Sequence, residues 1–233
     1  MTKITMTNKD AVKLTTKTFE AIKASKTVED LEKIHDSLKV PPKNKIKIDG
    51  YPKIDFDIQP KEIRKLQKNN LIDDECLLSN EISLKLTDPI SKLLYAVAWK
   101  NGDLKKVRHV INGILDTEKN EDSQEDALVF YQFGKYLTKK LGEPIIDQHV
   151  IRAFAVYITE DQKTVEKYRT IDTLNKKHRG LISEYKNWVT SNEITQELRN
   201  EKDYAYYIDK ILFAIGKTIK IPKPKKISVA LKD

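Results

Sequence analysis

Cysteine and glycine are both scarce in this chain of 233 residues, and each scarcity narrows the classes of structure that the chain can form. Cys76 is the only cysteine, which rules out an internal disulfide and a zinc site built from several thiolates. Only 7 glycines are present while lysine, glutamate, leucine and isoleucine are abundant, a balance that favours a helical protein. The histidines show no metal-site spacing, and no phosphate-binding glycine loop or nucleophile elbow occurs. We therefore expect neither a metal nor a cofactor.

Long apolar runs are also missing. No run approaches the length of a membrane span, and the first ten residues lack the apolar core of a signal peptide. Together with the single cysteine, this predicts a cytoplasmic protein without a membrane partner. Charge, by contrast, is plentiful: 33% of the residues are charged and the net charge is +8. This balance is compatible with a polyanionic partner, and a lysine-rich solvated surface would produce it equally well.

The pattern of apolar residues, breakers and helix caps divides the chain into three parts. Residues 1–87 are predicted to form an N-terminal helical extension, in which an alternating segment at 45–58 indicates a hairpin or an extended arm. Residues 88–220 carry a series of further helix patterns and are predicted to form a helical core domain. Residues 221–233 begin with Ile-Pro-Lys-Pro-Lys-Lys and read as a basic, extended tail. The predicted fold is therefore mainly α, a helical bundle with one small extended segment.

Several helix starts in the core domain are marked by their capping residues. Asp88-Pro89 is favourable because proline is tolerated at the first helical position. The helix that follows carries a wide apolar stripe that includes Leu93, Leu94 and Val97. Further helices are predicted at about 123–140, 171–190 and 203–220.

The stretch from Gly142 to Tyr157 combines a loop, a helix start and functional side chains. Asp147 is a natural N-cap, because its short carboxylate can accept hydrogen bonds from the free amides of the first helical turn. His149 and Arg152 are three residues apart and can share one face of the same helix. A carboxylate held at a helix N-terminus stays ionised and can point into a cleft.

The motif Asp147-x-His149-x-x-Arg152, opening a helix after a short proline-containing loop and two apolar residues, resembles the helix-hairpin-helix DNA glycosylase superfamily. The segment Asp209-x-x-Leu-Phe-x-x-Gly-Lys217 is similar to the last helix of small helical proteins with glycosylase-like cores. The resemblance implies a glycosylase-like helical bundle, double-stranded DNA as the partner, and Asp147 as the catalytic carboxylate. His149 and Arg152 would then support that carboxylate.

Two features of the family pattern are absent from this sequence. The family's glycine-rich, phosphate-binding hairpin is replaced by an acidic segment at 116–126, which would repel a phosphate backbone. No lysine occurs near Ala127 to Val129, where the bifunctional members carry their nucleophile. Strand cleavage through a Schiff base is therefore not expected, and only hydrolysis by a monofunctional enzyme stays open, with Asp147 stabilising positive charge on the sugar or orienting water.

Two basic runs are the candidates for nucleic-acid contacts, and a solvated helix face would explain either of them as well. Their residues are Lys105, Lys106 and Arg108 in the first run, and Lys176, Lys177 and Arg179 in the second. Asp147 can equally be a cap alone, His149 a structural residue and Arg152 the partner of a nearby carboxylate. Two functions stay open: a DNA-binding protein with or without base excision, and a non-catalytic scaffold that binds another macromolecule, including a protein.

Overall fold

The computed structural model describes residues 6–46, 52–119 and 126–222, and these residues are mainly helical. They contain twelve α-helices and three short 3-10 helices, and their only β-pairing is one antiparallel bridge between Ile72 and Leu78. The mainly α fold predicted from the sequence is confirmed. None of the helices in these ranges has the length and apolar character needed to cross a membrane.

The α-helices are numbered in chain order. They are α1 Asn8–Ala24, α2 Val28–Ser37, α3 Pro60–Lys68, α4 Ile82–Lys85, α5 Pro89–Lys100, α6 Val107–Lys119, α7 Leu128–Leu137, α8 Gln148–Tyr157, α9 Gln162–Arg169, α10 Arg179–Thr190, α11 Gln196–Arg199 and α12 Tyr204–Thr218. The 3-10 helices are Pro42–Asn44, Leu104–Lys106 and Lys176–His178. The predicted start of α5 is confirmed, because the Asp88 side chain accepts a hydrogen bond from the Ser91 amide at 2.8 Å.

Two helices are shorter than predicted. The helix expected at 171–190 begins at Arg179, because Ile171 and Leu174 are buried in a loop before it. The Asn175 side chain then accepts from the Lys177 amide at 3.1 Å and starts a separate 3-10 helix. The helix expected at 123–140 ends at Leu137, shortly before Lys139 takes a left-handed φ of 56°.

Two predicted segments fall partly outside the described residues. The turn of the possible hairpin at 45–58 lies in 47–51, which the structure does not describe. Residues 52–58 form neither helix nor strand, and the Ile58 amide donates to the Leu137 carbonyl at 3.0 Å, at the end of α7. The predicted basic tail lies outside the described residues beyond Pro222.

Two clusters of buried apolar side chains hold the helices together. The larger cluster combines α1 and α2 with α8 to α12 and includes Phe19, Leu31 and Phe154. The smaller cluster combines Ile63 and Cys76 with residues of α6. Both clusters contain residues from before and after position 87, so the parts 1–87 and 88–220 share their cores. Their division into separate units stays a prediction.

Close backbone contacts fix two helix pairs. A Cβ atom on Gly113 of α6 would lie 1.9 Å from the Tyr131 carbonyl oxygen of α7, and one on Gly134 would lie 2.0 Å from the Val110 carbonyl oxygen. The pair α8 and α12 is built in the same way, because a Cβ on Gly216 would lie 1.9 Å from the His149 carbonyl oxygen. Only glycine permits backbones to approach so closely, which means that α12 sets the position of the helix that Asp147 begins.

We expect Gly216→Ala to lower the free energy of unfolding by about 1–3 kcal/mol, because the added methyl group forces α12 away from α8. Gly180→Ala in α10 is the matched control, since nothing lies within 4 Å of its Cβ position. There the better helix propensity of alanine should raise stability by up to about 1 kcal/mol. Urea unfolding measures both effects, and equal stability of the two variants would contradict the close contact.

Candidate nucleic-acid interface and the Asp147 helix start

Asp147 is the N-cap of α8, the role that its sequence context indicated. Its Oδ1 atom accepts hydrogen bonds from the amides of His149 at 2.6 Å and Val150 at 3.0 Å. Burial raises the pKa of the carboxyl group, while these two backbone hydrogen bonds act to lower it. Both bonds use Oδ1, and the described residues donate no hydrogen bond to Oδ2. The carboxylate therefore stabilises the helix with one of its two oxygens.

Arg152 lies beneath the surface and joins three parts of the chain. The residue is 0% exposed, and its Nη1 donates to the Gly216 carbonyl oxygen at 2.6 Å. Its Nη2 donates to the Ile171 carbonyl oxygen in the loop before α10. Burial lowers the pKa of the guanidinium to about 10, although Asp147 and Asp172 act in the opposite direction. Because the group is fully buried on backbone carbonyls, it positions α8 and cannot reach a phosphate from this site.

His149 accepts a hydrogen bond from Arg152. The Nδ1 atom lies 2.6 Å from Nη1 of Arg152, and since a guanidinium can only donate, the imidazole carries its proton on Nε2. Burial and the nearby cations Arg152 and Lys217 lower the pKa of His149 to about 4. The ring also packs edge-on against Phe213, with 4.8 Å between the ring centroids. His149 is therefore neutral at physiological pH and orients Arg152.

Asp209 is a second buried acid. It belongs to the segment that resembles the last helix of glycosylase-like proteins, but no role was predicted for it. Only 4% of the residue is exposed, Oδ2 accepts from the Ile145 amide at 2.7 Å, and Oδ1 accepts from the Tyr185 hydroxyl. Burial raises the pKa of Asp209 well above its ordinary value. An aspartate between Ile208 and Ile211 on an apolar helix was the available sequence signal, because buried polar groups need partners. Asp209 fixes the loop that leads to Asp147.

A surface groove of about 600 Å³ lies beside the start of α8. We call it the basic groove, and its lining includes Lys105, Lys106, Arg108, Phe130, Gln148 and the segment 172–174. Gln148 directly follows Asp147, which is not itself part of the lining. The segment 172–174 ends two residues before Lys176, so the second basic run starts close to the wall of the groove. The structure thus brings the first predicted run into the groove, whereas Lys176, Lys177 and Arg179 are not part of its lining.

The charge of the basic groove is mixed. Lys105 and Arg108 are exposed, whereas Lys106 forms an ion pair with Asp103 and its Nζ lies 5.0 Å from the centroid of the Phe130 ring. Asp172 adds a carboxylate to the lining of the groove. The acidic residues of 120–125 lie outside the described residues. The available chemistry is contact with anions through exposed cations, with an aromatic ring between them.

Comparison with protein-family models, with curated proteins and with solved structures finds no match to this chain. The resemblance to helix-hairpin-helix glycosylases therefore rests on the motif residues alone. Among the described residues, no group of three or more histidine, cysteine, aspartate and glutamate side chains is arranged to hold a metal ion.

Substitutions of Asp147 separate the stability that comes from its hydrogen bonds as a helix cap from the effect of its negative charge. We expect Asp147→Ala to lower the free energy of unfolding by about 0.5–2 kcal/mol, and Asp147→Asn to change it by only a few tenths, because asparagine caps helices as well as aspartate does. Asp161, whose side chain accepts from the Thr164 amide at 2.8 Å at the start of α9, provides the same pair of substitutions at an exposed cap. Equal losses for Asp147→Ala and Asp147→Asn in urea unfolding would show that the charge matters more than the cap.

The raised pKa of Asp209 predicts a pH dependence of stability. The folded state holds this proton more tightly than the unfolded state, so the contribution of Asp209 is complete below about pH 4 and is lost as the pH rises through the folded pKa. Asp209→Asn mimics the protonated acid and should remove this loss. We therefore expect the variant to gain stability relative to the wild type as the pH increases from about 4 to about 8. Urea unfolding across this range measures the difference, and parallel pH profiles would contradict the assignment.

Proposed function

We propose that this protein binds double-stranded DNA through the basic groove, and that Asp147 serves the binding site by capping α8. The observation that carries the proposal is that Lys105, Lys106 and Arg108 line the same groove as Gln148, at the helix start that resembles the glycosylase motif. Lysine and arginine contacts to phosphate supply most of the affinity of sequence-independent DNA binding. Side-chain amides such as that of Gln148 also bind phosphate and sugar oxygens.

The second basic run extends this interface under the proposal. Lys176 and Lys177 are exposed on the 3-10 helix that follows the wall of the groove, and Arg179 begins α10. Together the two runs supply six cations on elements that are far apart in the sequence. A duplex that follows both runs would contact them with successive phosphates.

Base excision is the second candidate, and a specific feature of Asp147 favours it. Asp147 is the residue before Gln148, which lines the groove, and its two hydrogen bonds use Oδ1 and leave Oδ2 available. A glycosylase would need this oxygen to face an extruded base. We expect the wild type and Asp147→Asn to be alike on a panel of damaged-base duplexes, with no release of base. Release by the wild type that is lost in Asp147→Asn would establish the second candidate.

The DNA-binding proposal predicts a defined salt dependence. If Lys105, Lys106 and Arg108 each neutralise one phosphate, the triple alanine variant should reduce the slope of log K against log salt by about 3. The matched control replaces Lys9, Lys13 and Lys17, which are exposed on α1, and removes the same charge. Fluorescence anisotropy with a labelled duplex between about 50 and 200 mM salt measures the slopes. Equal slopes for both variants would exclude the groove, and no binding at the lowest salt would exclude DNA as the partner.

A further inference from the structure

Helix α5 leaves large apolar side chains in solvent. Six of the ten large apolar side chains exposed in the described part of the chain lie between Leu84 and Trp99. No residue of α5 is buried by the residues that the structure describes. Exposed apolar patches of this kind on a soluble chain mark surfaces that bind something else.

Four of the five large apolar side chains that α5 exposes lie on one helical face. Ile90, Leu93, Leu94 and Val97 have the spacing i, i+3, i+4 and i+7, which places them in a single stripe, and they are 58–69% exposed. We call these four residues the α5 stripe. The half-buried residues of the helix are instead Ser91, Tyr95 and Ala98. The helix therefore packs on the protein through a weakly apolar side and presents its strongest apolar side to solvent.

We propose that the α5 stripe is an interface between two copies of this chain, in which the two α5 helices pack antiparallel about a two-fold axis. An axis between Leu93 and Leu94 places Ile90 opposite Val97 of the second copy, and Leu93 opposite its Leu94. The same four residues then form both halves of the contact, as a two-fold interface requires. The proposal does not depend on DNA binding.

The charges at the ends of α5 favour antiparallel packing against the α5 helix of a second copy. Asp88 caps the N-terminus and Lys100 is the last residue of the helix. Antiparallel packing brings the Lys100 end of each helix to the Asp88 end of the other, and it also opposes the two helix dipoles. Parallel packing would instead place Lys100 beside Lys100. Lys92 lies on the side of the helix away from the stripe, so a lipid surface that buries the stripe would not meet this cation.

The size of the α5 stripe sets the expected strength of the dimer. Stable complexes bury about 1,200–2,000 Å² in total, and smaller interfaces belong to weak complexes. Two facing stripes of four side chains each are at the lower end of this scale. We therefore expect a dissociation constant in the micromolar range and a monomer in dilute solution.

Sedimentation equilibrium of the full chain from about 5 to about 500 µM tests the dimer. The apparent mass should rise with concentration from the 27.0 kDa of one chain towards twice that value. Leu94→Lys should stay monomeric at every concentration. Its fold should be retained, because 66% of Leu94 is already exposed, and circular dichroism checks this. Leu141→Lys changes a residue that is 72% exposed in the loop before α8, and it should dimerise like the wild type.

Cysteine cross-linking tests the antiparallel register. The native Cys76 is 5% exposed and does not interfere. Under mild oxidation, Leu94→Cys should give disulfide-linked dimers, because the residue lies beside the two-fold axis. Ile90→Cys alone should not form linked dimers, since Val97 of the second copy lies opposite position 90. The double variant Ile90→Cys, Val97→Cys should form them. Cross-linking of Ile90→Cys alone would overturn the antiparallel arrangement.

Two results would overturn the dimer itself. One is a wild type that keeps the mass of a single chain at the highest concentration. The other is a Leu94→Lys variant whose apparent mass rises with concentration as that of the wild type does. A wild type that stays monomeric but cosediments with vesicles of phosphatidylcholine and phosphatidylserine would assign the α5 stripe to a lipid surface instead.

Discussion

The contact between α8 and α12 at Gly216 is the constraint on which the region around Asp147 depends. The missing side chain lets the α12 backbone touch the His149 carbonyl, and this closeness lets Arg152 donate to the Gly216 carbonyl oxygen. A buried guanidinium is costly unless hydrogen bonds replace its water, and backbone carbonyls of α12 and of the loop at Ile171 supply them here. The start of α8, the end of α12 and the wall of the basic groove are therefore held by one side chain.

Two aspartates complete the region, and their environments give them different tasks. Asp147 spends one oxygen on the first turn of α8, whereas Asp209 uses both oxygens within the core, on Ile145 and Tyr185. Burial raises the pKa of both carboxyl groups. The loop between α7 and α8 is consequently fixed at two points close to the start of α8, by Asp209 at Ile145 and by Asp147 two residues later. Such a fixed loop is what a binding groove needs if the adjoining Gln148 is to keep its position.

The sequence was informative where the determining chemistry is local. The caps at Asp88 and Asp147 were predictable, because a side chain and an amide two or three residues away decide them. The hydrogen-bond partners of Arg152 could not be predicted, because they are distant in the sequence. Gly216 is 64 residues away, and Ile171 is 19 residues away in a loop whose apolar residues had indicated a helix. The stripe on α5 was visible, yet periodicity does not show which side of a helix the rest of the chain covers. The basic runs were visible too, and only the tertiary fold relates them to a groove.

The paired glycines of α6 and α7 have a consequence for the basic groove. Lys106 immediately precedes α6 and Phe130 belongs to α7, and these two helices touch backbone to backbone at Gly113 and Gly134. The spacing of α6 and α7 is therefore set by main-chain contact, which side-chain rotamer changes cannot relax. The Lys106 side chain, which lies over the Phe130 ring, can change its rotamer without moving either helix. Adaptation of the groove to a ligand would therefore come from its lining side chains and not from a movement of α6 against α7.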